Sequence, residues 1–155
     1  MASPMITLRD EQQTMATLLA LLKEEQQFLV NADSDALDVL TPQKNSLVLK
    51  LAELATSRHQ ALGAAGFAAS EDGMAPWLAA SADRNAEADW RQLLAVSREA
   101  KEFNRVNGML ISRQMHHTQT ILQAMRTPTA GADAAVYGPS GQTSAGGPSR
   151  RFVVG

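Results

Sequence analysis

Residues 83–126 read DRNAEADWRQLLAVSREAKEFNRVNGMLISRQMHHTQTILQAMR, and this stretch decides the fold. It contains no proline and a single glycine, Gly108, over many turns' worth of chain. Leu, Ala, Gln, Glu, Arg and Met dominate it, residues that lose little side-chain freedom in a helix. Trp90, Leu93, Leu94, Ser97, Ala100, Asn104, Asn107, Leu110, Ile111, Gln114, Thr118, Ile121 and Met125 recur at helical spacing. The pattern predicts one long helix from about Asp83 to Arg126. Asn104 and Asn107 share its stripe, where a buried asparagine costs stability and fixes helix register. The alternative role for that face is a groove, with Gly108 admitting a close backbone approach or a bend. A glycine there costs about 1 kcal/mol of helix propensity.

Upstream, Leu8, Met15, Leu22 and Leu29 recur every seventh residue, so a first helix is expected from about Thr7 to Val30. Glu11, Gln12, Glu25 and Gln26 are read as its solvated reverse. NADSDA (31–36) supplies turn and capping residues. A short helix over DALDVL follows, and Thr41–Pro42 starts a renewed helix ending near Leu62. Gly63 and Gly66 end that helix in left-handed geometry, and Phe67 folds back onto the bundle end. Pro76, Trp77 and Leu78 mark a short helix or turn. The expected fold class is all-α: an elongated antiparallel helical hairpin or open bundle of three to four helices. A helical domain over residues 1–127 would carry a flexible tail over 128–155. That tail holds six of the ten glycines and three of the six prolines, a composition that cannot offset its ordering entropy by burial. Tyr137, the only tyrosine, sits in it with Val136, Phe152, Val153 and Val154 as candidate anchors for a partner.

Composition narrows the function classes. The chain has 155 residues, a net charge of −2 and no cysteine, so disulfide frameworks and cysteine-based metal sites are out. Charges are mixed along the chain, with no basic stripe for nucleic acid. The first ten residues lack the basic and apolar regions of a secretory signal, and LLALL is among the longest apolar runs. His116 and His117 are adjacent and diverge by about 100° on a helix, which does not suit one metal ion. The pairs Glu24–Glu25 and Glu71–Asp72 do not converge on one substrate atom and read as solvated faces. No nucleophile-elbow, phosphate-loop or dinucleotide motif occurs, so no enzyme activity and no cofactor are expected. His59, followed four residues later by Gly63, resembles the phosphorylatable histidine of helical phosphotransfer domains. The lysine such domains place before the glycine is Leu62 here. A generic coiled-coil interaction protein is the other alternative.

Three segments in order resemble the FlgN family of flagellar type III export chaperones. The first is LLALLKEEQQFLVNADSDALDVLTPQKNSLVLKLAELATSRHQAL (18–62), a leucine-rich helix with a Glu (Glu24 or Glu25), an Asp-containing turn (Asp33 or Asp35), then Lys44 and Arg58 bracketing leucines. The second is NRVNGMLISRQ (104–114), similar to the family's Asn-x-x-Asn-Gly followed by apolar residues. The third is VYGPSGQTS (136–144), a tyrosine–glycine motif followed by a basic end. The resemblance spans about residues 8–151. It implies a cytoplasmic, non-enzymatic chaperone for the hook–filament junction proteins, which holds their terminal helical segments apart before export. It also implies docking to the cytoplasmic domain of the flagellar export gate through Tyr137. Within it, Leu110, Ile111, Met115, Ile121, Leu122 and Met125 are the expected apolar contacts to cargo, methionine being adaptable to varied surfaces. An open, Met-rich face also allows a homodimer when cargo is absent.

Overall fold

The computed structural model of the chain describes residues 3–137, with side-chain burial described as far as residue 126. Four α-helices follow one another: α1 (Leu8–Val30), α2 (Ser34–Ala64), α3 (Met74–Ser81) and α4 (Arg84–Tyr137), with a single 3₁₀ turn at Glu71–Gly73 before α3. The protein is all-α. The chain divides into two compact units, Met1–Leu110 and Ile111–Gly155. The first unit ends at Leu110, and Asn107 is the last buried residue described on α4. The helix itself runs past Arg126 to Tyr137. Helix propagation is cheap once a helix exists, and Ala130, Ala132, Ala134 and Ala135 favour it. The rest of the expected tail, including Gly138 and Phe152–Val154, lies outside the described residues.

The α1–α2 corner is built by its sequence. The Asp33 amide donates to the Phe28 carbonyl and the Ala32 amide to the Leu29 carbonyl, a Schellman closure. Ala32 takes the left-handed position (φ 54°) that glycine usually fills. Asp33 then caps α2, its carboxylate accepting from the Ala36 amide at 3.1 Å. α2 does not restart at Thr41–Pro42. It is one helix with Pro42 inside it. Leu40 is buried nearby, and Leu47 and Leu51 pack on the α1 core, so tertiary packing outweighs the hydrogen bond that proline removes. α2 closes with a second Schellman pattern, Phe67 amide to Leu62 carbonyl and Gly66 amide to Gly63 carbonyl. Gly66 alone is left-handed there (φ 90°), and Gly63 is not. Among the described glycines the tightest is Gly73, where a Cβ would collide with the Ala68 carbonyl oxygen.

Contacts fix the helix directions in the first unit. Glu11 meets Arg58 and Glu25 meets Lys44, so α1 and α2 are antiparallel. Gln12 bonds the Asp89 carbonyl, Lys23 pairs with Glu99, and Asn107 bonds the Leu22 carbonyl. α4 therefore runs parallel to α1 and antiparallel to α2. The cause is the connection: the 3₁₀ turn and α3 stay at one end, where Met74 and Leu78 join Leu8, Leu62, Ala86 and Trp90 in the larger core cluster. Phe67 packs against that cluster, as its position after Gly66 suggests. A second cluster, Leu18, Leu22 and Ala100, continues the core along α1. Burial of such side chains contributes roughly 1.5–3 kcal/mol each.

Gly108 makes no close approach, since a Cβ there meets nothing within 4 Å. It lies in the interior of α4. Gly108→Ala is expected to stabilise the protein by about 0.5–1 kcal/mol through helix propensity and a less flexible unfolded chain. Urea unfolding followed by circular dichroism checks this. A destabilised variant would mean that the position has a steric role after all.

Candidate partner-binding surface

The residues expected to contact cargo are all on α4. Leu110 is half-buried in the first unit. In the second unit Ile111, Met115, Ile121, Leu122 and Met125 are exposed by 39%, 59%, 47%, 56% and 68% of their surfaces. At roughly 100° per residue these five fall within an arc of about 120°. Arg113, His116, His117 and Gln119 fall outside that arc. Segment 111–126 contains Arg113 and Arg126 and no Asp or Glu. The Thr118 and Thr120 hydroxyls donate back to the carbonyls of Gln114 and His116, so their polar groups are satisfied locally. Five large apolar groups on one exposed face, with cations and no carboxylates, suit the apolar face of a partner helix. Tyr137 is the last residue of α4.

The histidines do other things. His116 and His117 are exposed, and no group of three or more His, Cys, Asp or Glu able to hold a metal occurs among the described residues. His59 Nε2 lies 3.1 Å from a Glu71 carboxylate oxygen. A carboxylate on that nitrogen repels a phosphoryl group, and the position where phosphotransfer domains carry lysine is Leu62, which is fully buried. The geometry therefore argues against phosphotransfer at His59.

Two polar braces inside the bundle replace the solvated faces expected from residue type. Glu11 and Glu25 are 3% and 4% exposed and sit on the buried stripe of α1 with Leu8, Leu18, Leu22 and Leu29. In the first brace the Arg58 guanidinium donates from Nε and Nη2 to Glu11 (3.0 and 3.1 Å), and its other edge pairs with Glu71. Arg58 also lies over the Trp90 ring, 4.7 Å from its centroid. The Thr7 hydroxyl adds a donor to Glu11. In the second brace Glu25 accepts from Lys44 and from Asn107 Nδ2, while Gln26 donates to Asn107 Oδ1. Each member finds partners, as buried charge requires. Glu25, Lys44 and Arg58 are thus among the residues that carry the family resemblance, and they hold the scaffold rather than a surface. Asn107 is fully buried and ties α4 to α1 at Leu22 and Glu25, whereas Asn104 is exposed.

Burial pushes the Glu71 carboxyl up, but hydrogen bonds and charge from Arg58 and His59 outweigh it, and the net direction is down. Burial likewise lowers the Arg58 guanidinium, and Glu71 and Glu11 more than reverse that. A depressed carboxyl contributes stability above its unfolded pKa, near the ordinary 4.5, and loses it as pH falls through the folded value. Glu71 is 61% exposed, so solvent screening limits the contribution to at most about 1 kcal/mol. Stability should therefore fall less between pH 6 and about pH 3.5 in Glu71→Gln than in the wild type. Parallel acid profiles from chemical denaturation would remove Glu71 from the acid limb.

No helix among the described residues is long and apolar enough to cross a membrane. Residues 1–145 match the family model described as FlgN protein. No curated protein and no solved structure matches the chain.

Proposed function

Because the chain belongs to the FlgN family, and is in that general sense a flagellar export chaperone, we propose that it binds the terminal helical segments of hook–filament junction proteins in the cytoplasm and delivers them to the export gate. The supporting observation is the exposed arc of Ile111, Met115, Ile121, Leu122 and Met125. A cargo helix laid on this arc removes apolar surface from water at about 25 cal/mol per Å², less the cost of ordering. Such a complex gains strength from area rather than from a few deep anchors, which suits a partner that must be released. The proposal assigns residues 128–155 to the gate, with Tyr137 as the aromatic anchor, and needs no cofactor.

The test is co-purification and titration with a hook–filament junction protein. Met115→Asp with Leu122→Asp should weaken cargo binding by at least about 100-fold, since each buries a charge in the middle of the apolar contact area. Both side chains are more than half exposed, so helicity by circular dichroism should be unchanged. Tyr137→Ala should retain cargo and lose binding to the cytoplasmic domain of the gate. Undiminished cargo affinity in the double variant would remove this surface from the function.

A further inference from the structure

Between Leu40 and Arg58, α2 has no fully buried residue. Val48 there is 49% exposed. Facing it, Leu94 and Ser97 of α4 are only half-buried, and Lys101 and Asn104 are exposed. The space between the two helices is a groove of about 420 Å³ that shares Met15, Leu94, Ser97 and Glu71 with a further 210 Å³ hollow beside Trp90. Leu18 and Leu22 of α1 floor it, and Leu51 and Ala100 add to its walls. Its lining is mainly apolar along the walls and charged at the ends. From Trp90 to Asn104 the α4 wall rises about 20 Å, four turns of helix. Small residues, Ser97 and Ala100, leave room for knobs from an incoming helix.

The two ends differ in charge. Lys101, with Asn104, stands at one end, and no ion pair engages Lys101 among the described residues. Glu71 stands at the other, 61% exposed beyond its contacts with Arg58 and His59. We propose that this groove receives one amphipathic α-helix of about four turns from a partner protein, with an acidic first turn at Lys101 and a basic last turn over Glu71. The occupant then runs antiparallel to α4 and completes a four-helix bundle around the α1 floor. Acidic residues in a helix's first turn and basic residues in its last also favour the helix itself, so the charges that dock it are those that form it. Segment 111–126 of a second copy fits less well, because it has cations but no carboxylate to offer Lys101. The proposal stands apart from the cargo reading above, because every groove residue lies within the first unit.

A fluorescein-labelled designed peptide tests it on the full chain: about four helical turns, Leu and Ala on one face, Glu in the first turn, Arg in the last. Saturable binding in the micromolar range is expected by fluorescence anisotropy. Lys101→Glu should weaken it at least tenfold and shift the preference toward a peptide with Arg in both its first and its last turn. Ser97→Trp, which fills the groove, should abolish binding. Met115→Asp with Leu122→Asp should leave it unchanged, which separates this site from the cargo surface. No binding, or binding indifferent to both groove variants, would overturn the proposal. So would a wild-type dimer in sedimentation that Ser97→Trp dissociates, since that assigns the groove to a second copy. Should Ser97→Trp fail to fold, Lys101→Glu decides alone, because Lys101 is exposed and its reversal leaves the core intact.

Discussion

Arg58→Ala is expected to cost about 3–5 kcal/mol, the range for removing one partner of a buried ion pair. Arg58 is 2% exposed and is the only cation reaching Glu11 among the described residues. Without it Glu11 stays buried with one hydroxyl donor, from Thr7. The loss of the guanidinium stacked on Trp90 adds a packing defect next to the larger core cluster. For a domain of this size the melting temperature should fall by on the order of 10–20 °C. Arg58→Lys should recover only part of this, because an ammonium cannot bond Glu11 through two nitrogens while its other edge meets Glu71. Chemical denaturation of both variants gives the numbers. A cost below about 1 kcal/mol for Arg58→Ala would mean that water reaches Glu11 in the folded state.

Much of this bundle was legible in the sequence, and the failures have specific causes. The heptad leucines of α1, the capping Asp33 and the left-handed Gly66 all sit where local physics places them. Glu11 and Glu25 were misplaced by sorting on residue type. By angle they belong with the leucines, each three residues after Leu8 or Leu22. A second signal was present: Glu11 and Glu25 are separated by the same interval as Lys44 and Arg58, which an antiparallel pair in register requires. Pro42 suggested a break because local propensity says nothing of the packing that carries α2 through it. The parallel course of α1 and α4 depends on where a connection of nearly twenty residues comes to rest, and periodicity holds no record of that. Gly73 was silent for the same reason, its neighbour being the Ala68 backbone in a folded turn. Of the candidate surface, the apolar spacing on α4 was readable, but its exposure was not, since an unpartnered face and a core face share one pattern. The groove between α2 and α4 has no sequence signature at all.

Asn107→Ala is the second large effect, an expected loss of about 2–3 kcal/mol. The amide makes two buried donations, to the Leu22 carbonyl at 2.9 Å and to Glu25 at 2.8 Å, and the second is to a charge. Hydrogen bonds to charged groups contribute about 1.5–3 kcal/mol, and a small cavity adds to their loss. A different outcome is expected when the whole brace is made apolar. Glu25→Leu, Lys44→Met and Asn107→Leu together remove both charges and the buried amide between them, leaving only the half-buried Gln26, so no buried charge is left unpaired. That triple variant should be within about 1 kcal/mol of the wild type, or more stable. What it should lose is uniqueness. Asn107 and Glu25 define which residues of α1 and α4 lie opposite each other, and a uniformly apolar layer permits a shift along parallel helices. Broadened amide resonances in the triple variant, with stability intact, would show that the brace sets register. Sharp, native-like spectra would show instead that Leu8, Leu22 and Trp90 suffice to hold the helices in place, and that the brace serves only to satisfy its own charges.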